Sequence, residues 1–240
     1  MIIPEVKIFR VESKDFSFSS LILSDNQVNI YIVPLDKSPF SLEYLSSILS
    51  EDERKRSDRY KFLSDKNKFI ICRGMLRVIL SKYLDIPPDL IKFDYTDKGK
   101  PFIKDTNLSF NLSHSQQLAV YAISVNEFLG IDLEYLGKNT DFEAIAKRFF
   151  TSREYEFIKG LNERDKKEVF LRLWTRKEAY LKAIAQGIAN GLDQVEFDLK
   201  LNIMRINGSE KLGKDWFIYE FYPEKDYIST LVIKCRSYYG

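Results

Sequence analysis

One pattern occurs twice in this sequence, and it restricts the possible folds more than any other feature. Its first part is a capping box, the start signal of a helix, at Ser50–Glu53 and again at Thr151–Glu154. Each box is followed by a long stretch with helical periodicity, over Asp65–Tyr83 and over about Lys166–Ile184. We therefore expect two helical units of similar design.

A short strand candidate of similar sequence follows each helical stretch. Ile91–Asp94 reads IKFD and Val195–Asp198 reads VEFD, and both lie at similar distances from the capping boxes. A duplicated α+β module, with a site in the cleft between its halves, would explain the repeat. Coincidence between two ordinary helix–strand units would explain it equally well, so the repeat alone does not decide between them.

The other predicted elements are mostly strands. Residues 41–49 favour a short helix, and Thr96–Pro101 is typical of a turn. Leu118–Val125 is apolar nearly throughout, which indicates a strand in the middle of a sheet. The remaining strand candidates are Val28–Val33, Leu108–Leu112, Leu129–Tyr135, and a C-terminal hairpin of Phe217–Tyr222 and Ile228–Ile233.

Composition excludes several classes of protein. The 240 residues fit two small domains, and a hydrophobic content of 45% is enough for a real core. The net charge of +2 gives no general affinity for nucleic acid. Cys72 and Cys235 lack metal-binding spacing and are expected to be free thiols in a reducing cytosol. We expect neither a signal peptide nor a membrane span.

Two carboxylates lie on one predicted strand. Asp132 and Glu134 are two residues apart, so both side chains point to the same face, while Ile131 and Leu133 point to the other. Two carboxylates at this spacing can share one hard cation such as Mg²⁺. A solvated polar face would show the same pattern.

A third carboxylate interrupts the apolar stripe of the second long helix. Trp174, Glu178 and Lys182 are spaced to lie along one side of that helix, and Lys177 is also charged where a core helix would stay apolar. Buried charge is costly unless it is paired or binds a metal. The alternative is a set of snorkelling side chains with a Glu178–Lys182 pair four residues apart.

Basic and nucleophilic residues give weaker signals. His114, the single histidine, follows Ser113, but adjacent residues on a strand point apart, which argues against a hydrolase triad. Lys100 lies between Gly99 and Pro101 on a stiff turn, where it could meet a phosphate or simply be exposed. Common phosphate-loop and metalloprotease motifs are absent from the sequence.

The order of these motifs is more specific than any one of them. Together they resemble the surfactin-synthetase-type 4′-phosphopantetheinyl transferases, from about Leu49 through Gly191, whereas the two ends match only in pattern. The motifs are, in order, Gly99–Pro101 (GKP), Phe110–Ser115 (FNLSHS), Gly130–Glu134 (GIDLE) and Trp174–Ala183 (WTRKEAYLKA).

The resemblance implies an α+β fold made of two similar halves that pack as an intramolecular pseudo-dimer. Each half would place a long helix against a small, mainly antiparallel sheet. We expect the N-terminal half to span residues 1–125 and the C-terminal half residues 126–240. Coenzyme A would bind in the cleft between the halves.

The resemblance also implies roles for particular residues. Asp132, Glu134 and Glu178 match the family's Mg²⁺ carboxylates, with Glu178 as candidate base. Lys182 matches a lysine near the transferred phosphate.

Four further residues match contacts to coenzyme A. Lys100, Ser113 and His114 match contacts to its nucleotide and phosphates. Arg56 stands where a basic contact to the 3′-phosphate often occurs, although Glu53 replaces another basic residue there.

The implied reaction is Mg²⁺-dependent transfer of 4′-phosphopantetheine from coenzyme A to a serine of an acyl, polyketide or peptidyl carrier protein, with release of 3′,5′-ADP. We expect a cytoplasmic monomer with no nucleic-acid or membrane partner. Four basic residues near the expected cleft, Arg56, Lys66, Arg73 and Arg77, are expected to help attract an acidic carrier. A metal-dependent phosphodiesterase and an inactive carrier-binding module are the alternatives.

Overall fold

The computed structural model describes residues 3–13, 23–125, 128–187, 191–200 and 203–235. They form an α+β fold with two similar halves, which confirms the predicted fold class. The predicted division at residues 125 and 126 adjoins residues 126–127, which lie outside this description, and it stays a prediction.

The N-terminal half is built on a four-stranded sheet. Its strands are β1 (Glu5–Arg10), β2 (Gln27–Pro34), β5 (Ser109–Ser115) and β6 (Leu118–Ser124), in the order β1-β2-β6-β5. β1 pairs with β2 in parallel and the other pairs are antiparallel. β1 was not predicted; it is a short, mostly exposed strand at the edge of the sheet.

Three helices accompany this sheet: α1 (Leu42–Ser47), α2 (Glu51–Ser57) and α3 (Leu63–Leu84). The predicted capping box at Ser50 is present, with both reciprocal hydrogen bonds to Glu53. Leu76 and Ile79 of α3 share a buried cluster with Tyr31 and Tyr121 of the sheet. The predicted helices and the central strand of this half are confirmed.

The C-terminal half repeats this design with a smaller sheet. Strands β7 (Leu129–Tyr135), β10 (Trp216–Phe221) and β11 (Tyr227–Lys234) are antiparallel in the order β10-β11-β7, which confirms the predicted hairpin. The helices are α4 (Phe142–Phe149), α5 (Ser152–Lys159), α6 (Glu163–Ala183) and α7 (Glu210–Gly213), and β8 (Val195–Asp198) pairs with β9 (Ile203–Ile206). The second capping box, at Thr151, is also present.

One predicted strand is wrong. Ile91–Phe93 follows a 3₁₀ turn at Pro88–Leu90 and is not extended in a sheet, and only Asp94 belongs to the two-residue strand β3 (Asp94–Tyr95), paired with β4 (Pro101–Phe102). The carbonyl of Ile91 accepts a hydrogen bond from the Arg77 guanidinium at 2.9 Å instead of a strand partner.

The two halves meet along a shared apolar layer. Ile30 and Ile32 of β2 and Val120 of β6 pack in one cluster with Ile131 of β7 and Leu231 of β11. Because β2 and β6 also cover the helices on their opposite face, both strands are buried on two sides, which explains why Leu118–Ser124 lacks polar alternation.

Candidate active site

The site forms where β5, β7 and α6 come together. β5 and β7 lie side by side at the boundary between the halves, and side chains of β5 satisfy backbone groups of β7. The Asn111 side-chain oxygen accepts from the Ile131 N–H at 2.9 Å, and the Ser115 hydroxyl accepts from the Tyr135 N–H at 3.1 Å. Alternate residues of β5 therefore join the two sheets.

Gly130 allows α6 to lie directly on β7. A Cβ atom added at this position would be 1.9 Å from the carbonyl oxygen of Ala179 and 2.5 Å from the amide nitrogen of Ala183. This close approach brings Glu178 and Lys182, each directly before one of those alanines, to the strand that carries Asp132. The helix over the strand is the arrangement that the three-carboxylate prediction requires.

Asp132 is the most enclosed of the three carboxylates, with 3% of its surface exposed. Its Oδ1 accepts from the Lys182 ammonium at 2.6 Å and from the Ser113 hydroxyl at 2.9 Å, and Lys182 also donates to Ser113 at 3.0 Å. Its Oδ2 is buried and, among the described residues, has no hydrogen-bond partner. One oxygen is thus held by two hydrogen bonds, while the other is left unsatisfied by the described residues.

Glu134 lies on the same face of β7. Its Oε2 accepts from the Ser115 hydroxyl at 3.3 Å and forms an ion pair with Lys138, four residues later. Burial, followed by the nearby charge of Asp132, raises the pKa of Glu134. The strand therefore presents both carboxylates on one face, each beside a serine of β5 and a lysine.

Glu178 comes from α6 and is 7% exposed. The pKa of Glu178 is raised to about 7, mainly by burial and then by the negative charges of Asp132 and Glu134, against the opposing positive charges of Lys182 and Lys138. The three carboxylates are thus close enough to act on one another. The alternative Glu178–Lys182 surface pair is not what forms, because Lys182 bonds to Asp132.

A metal centre is not formed by the side chains as they stand. Within the described ranges, no group of three or more histidine, cysteine or acidic side chains is arranged to hold a metal. Asp132 and Glu134 are each paired with a lysine. The metal-binding roles of Asp132, Glu134 and Glu178 remain predictions.

Lys177, the other charge that interrupts the stripe, has a different place. Its ammonium is fully buried, 2.7 Å from Glu154 of the second capping box, and it donates to the carbonyls of Leu192 and Val195. These contacts tie α6 to α5 and to the start of β8. Lys177 therefore holds the fold rather than lining the site.

Lys100 is bound to the backbone of the C-terminal half. Its ammonium donates to the carbonyl oxygens of Leu129 at 3.0 Å, Lys182 at 2.7 Å and Ala183 at 3.2 Å. Burial lowers its pKa to about 8. The lysine caps the last turn of α6 and is not a simple exposed turn residue, and contact with a nucleotide would require it to leave at least one of these carbonyls.

The other three predicted nucleotide contacts, Ser113, His114 and Arg56, lie in three different places. Ser113 points to Asp132, whereas His114 is exposed on the opposite face of β5, where surrounding protein atoms and then the charges of Lys182 and Lys68 lower its pKa. Arg56 stacks its guanidinium 5.4 Å from the Phe69 ring and lines a cleft of about 650 Å³ beside α2.

The predicted contribution of Arg73 and Arg77 to a basic surface is wrong. Both guanidinium groups are buried against Glu53, with nearest N–O distances of 3.3 and 2.7 Å. Glu53, the acidic residue that departs from the family pattern, is itself only 3% exposed. Charge buried in this way cannot attract a partner, and Lys66 is paired with Asp58.

Sequence reasoning missed three polar residues of this region: Asn111, Ser115 and Lys138. A signal existed for each of them. Asn111 and Ser115 share the alternation that includes Ser113, and Lys138 stands four residues after Glu134. The alternation identifies the face of β5, but the partner of that face is fixed only by the packing of the halves.

Comparison with known proteins agrees with this architecture. A family model described as the 4′-phosphopantetheinyl transferase superfamily matches residues 128–232, and one described as 4′-phosphopantetheinyl transferase, N-terminal, matches residues 36–126. The 4′-phosphopantetheinyl transferase HetI of Nostoc sp. (strain PCC 7120) is 44% identical over 184 residues, covering 75% of this chain and 77% of its own length.

The chain belongs to the 4′-phosphopantetheinyl transferase family. The predicted resemblance is confirmed, and the protein is an enzyme that transfers phosphopantetheine. Two further relatives are the 4′-phosphopantetheinyl transferases gsp of Aneurinibacillus migulanus and psf-1 of Bacillus pumilus. They are 34% and 32% identical, over 65% and 68% of this chain and 64% and 70% of their own lengths.

None of the helices in the described parts of the chain combines the length and apolar character needed to cross a bilayer.

Proposed function

We propose that this transferase moves 4′-phosphopantetheine from coenzyme A to a serine of an acyl, polyketide or peptidyl carrier protein, with Mg²⁺. The serine oxygen forms a bond to the β-phosphorus of coenzyme A, and the bond from that phosphorus to 3′,5′-ADP breaks. The serine proton passes to Glu178, directly or through a water molecule. 3′,5′-ADP is the leaving group.

The observation that carries this proposal is the meeting of Asp132, Ser113 and Lys182 at the boundary of the halves. Lys182 is 2.6 Å from Asp132 Oδ1 and 3.0 Å from the Ser113 hydroxyl. An ammonium in this partly buried position can stabilise negative charge on a phosphoryl oxygen of coenzyme A. Lys182 is therefore proposed to bind the transferred phosphate or the departing nucleotide.

The three carboxylates are suitable ligands for Mg²⁺. Asp132 Oδ2 is buried without a hydrogen-bond partner among the described residues, and such an atom calls for a ligand. Hard cations prefer carboxylate oxygens, so we propose Asp132, Glu134 and Glu178 as ligands. When bound, Mg²⁺ would supply positive charge to neutralise and orient the pyrophosphate of coenzyme A.

The nucleotide end is proposed to contact Arg56, Lys100, Ser113 and His114. Arg56 lines the 650 Å³ cleft together with Arg59 and Lys55, which supports binding of a phosphate there. Lys100 takes part only if a phosphate replaces one of its three carbonyl partners.

Intact-protein mass spectrometry tests the reaction. The enzyme is incubated with coenzyme A, Mg²⁺ and apo forms of fatty-acid, polyketide and peptide-synthetase carriers. We expect one phosphopantetheine to be added to a carrier, and no addition with chelator or with a carrier whose serine is replaced by alanine. Release of free phosphopantetheine without carrier modification would identify a phosphodiesterase instead.

We further propose that the enzyme acts in the cytoplasm as a monomer on a folded acidic carrier. Complementary charge mainly speeds encounter, so added salt should lower the rate at subsaturating carrier. Light scattering across the assay concentrations tests the monomer, and a dimer mass would contradict it.

A further inference from the structure

Glu134 is paired with a lysine that the reaction scheme above does not use. Lys138 lies just after β7, and its ammonium contacts Glu134 Oε2. The Lys138 side chain is 36% exposed and that of Glu134 13%. The positive charge of Lys138 also lowers the pKa of Glu178, which indicates that the ammonium is close to more than one carboxylate of the site.

The turn that carries Lys138 is shaped to return it to the site. The Lys138 N–H donates to the Tyr135 carbonyl at 3.4 Å, and the Leu136 N–H donates to the Asp226 carbonyl at 2.8 Å. A Cβ atom at Gly137 would be 2.2 Å from Cε1 of the Tyr135 ring. Any other residue at this position would require the Tyr135 ring to shift, and the turn places the Lys138 ammonium against Glu134 Oε2.

Lys138 and Lys182 differ in how firmly they are held. Lys182 is 24% exposed and donates to Asp132, Ser113 and the Ile131 carbonyl. Within the part of the chain that the structure describes, the ion pair with Glu134 is the only one that Lys138 makes. Of the two lysines at the carboxylates, Lys138 is the one that can move at lower cost, because its ammonium gives up one ion pair and its side chain is already 36% exposed.

A divalent cation on Glu134 would repel an ammonium in contact with the same carboxylate. The long flexible stem of lysine lets that ammonium leave Glu134 without moving the backbone. The nearest new source of negative charge would be the pyrophosphate of coenzyme A, which the proposed function places against the same carboxylates.

We propose that Lys138 is the counter-ion of Glu134 in the free enzyme and a phosphate-binding residue once a divalent cation has taken its place. This inference rests on the proposed function. It implies that Lys138 disfavours binding of the free cation and favours binding of coenzyme A together with the cation. The enzyme would thereby select the metal–coenzyme A complex over metal alone.

The test measures binding rather than turnover. Mn²⁺, which is visible by electron paramagnetic resonance, is titrated into the full-length enzyme, and coenzyme A is then titrated by calorimetry at saturating Mn²⁺. Lys138→Met is compared with Lys138→Arg, which keeps the charge. Lys166→Met is the matched control, since Lys166 pairs with Glu163 at 2.6 Å on the first turn of α6, away from the site.

We expect opposite shifts for Lys138→Met. Mn²⁺ alone should bind about two- to fivefold more tightly, the scale of a partly exposed ion pair, and coenzyme A about two- to fivefold more weakly. Lys138→Arg and Lys166→Met should match the wild type in both titrations. Equal binding by Lys138→Met and Lys166→Met in both titrations would overturn the inference.

The outcomes also separate this inference from the proposed function. If the wild type binds no Mn²⁺ with or without coenzyme A, both fail. If the wild type binds Mn²⁺ and modifies carriers but Lys138→Met changes only the KM for carrier, the metal site stands and Lys138 is a partner contact instead.

Discussion

The two halves of this transferase share a buried ion pair that links the start of one helix to the middle of another. In the N-terminal half, Glu53 of the capping box meets Arg77 at 2.7 Å, and in the C-terminal half, Glu154 meets Lys177 at 2.7 Å. Each cation also donates to two backbone carbonyls beyond its own helix, including those of Ile91 and Val195. A buried ion pair of the same kind therefore stabilises each half.

The halves differ in what surrounds this shared frame. Position for position after the capping-box glutamate, Arg56 of α2 corresponds to Phe157 of α5. The cleft beside α2 has a volume of about 650 Å³ and a basic lining, whereas that beside α5 has about 110 Å³ and its Arg153 is paired with Glu196. The C-terminal half instead contributes Asp132, Glu134 and Glu178. The two halves share one fold, but one provides the cleft with basic residues and the other provides the three carboxylates.

The largest effect is expected from removing the cation of either buried ion pair. Lys177→Met leaves the buried Glu154 without its cation, which should lower the free energy of unfolding by about 3–5 kcal/mol. Arg77→Met leaves Glu53 with the more distant Arg73, at 3.3 Å, and should also lower the free energy of unfolding, by less. Urea denaturation followed by circular dichroism measures this loss. Lys55→Met, which removes an exposed pair with Glu51, is the control and should change little. A loss no larger than that of Lys55→Met in either variant would contradict this expectation.

Glu178→Gln tests whether a carboxylate of the C-terminal half takes part in the reaction. The change is nearly isosteric but removes the negative charge and the basic oxygen, so the transfer rate should fall by about 10²-fold or more. Coenzyme A should still bind measurably. The rate is measured with Mg²⁺ saturating, and Glu168→Gln on the same helix, bonded to Tyr222, is the control. Transfer at the wild-type rate would return Glu178 to a purely structural role.

Lys100→Ala tests whether the turn of the N-terminal half contacts the nucleotide. If its ammonium meets the 3′-phosphate, the substitution should weaken coenzyme A binding by about 1.5–3 kcal/mol and dephospho-coenzyme A binding less. Isothermal titration of both ligands gives the two values. Equal weakening would point to the carbonyl contacts with Leu129 and α6 as the cause. Unchanged binding of both ligands would remove Lys100 from the site.

The pH dependence of stability gives the smallest effect. Burial lowers the pKa of Lys100 to about 8 from its ordinary 10.5, so between these values the unfolded chain binds more protons than the native protein. The contribution of Lys100 to stability should therefore rise with pH in this range, by at most about 1.4 kcal/mol per unit. The free energy of unfolding is measured against pH for the wild type and for Lys100→Met, and the difference between the two curves gives the contribution of Lys100. A flat or falling difference would contradict the burial of a charged ammonium.

Short-range pattern was enough to predict the two long helices, the central strand and the shared face of Asp132 and Glu134. Period two placed Asp132 and Glu134 together, and both capping boxes formed as the sequence indicated. Helical spacing placed Glu178 and Lys182 on one side of α6. These features depend on neighbours within a few residues, which a sequence shows directly.

The partners of long basic side chains could not be predicted in the same way. Arg77 was expected on an exposed face, yet it is buried against Glu53, and the Lys100 ammonium reaches carbonyls that are distant in sequence. Burial of such a charge depends on whether tertiary packing supplies acceptors at the end of a flexible stem. Ile91–Phe93 failed as a strand for a related reason, because the Arg77 guanidinium takes the Ile91 carbonyl.

Gly130 determines how closely α6 can pack on β7. With the carbonyl of Ala179 only 1.9 Å from where a Cβ would stand, even alanine has to push α6 outward by roughly 1.5 Å to restore ordinary contact. Glu178 and Lys182 would travel with the helix, and displacements of about 1 Å can cost about 10²-fold in rate. In a library with every amino acid at position 130, only glycine should therefore support normal transfer. The other variants should fold and remain soluble but transfer poorly.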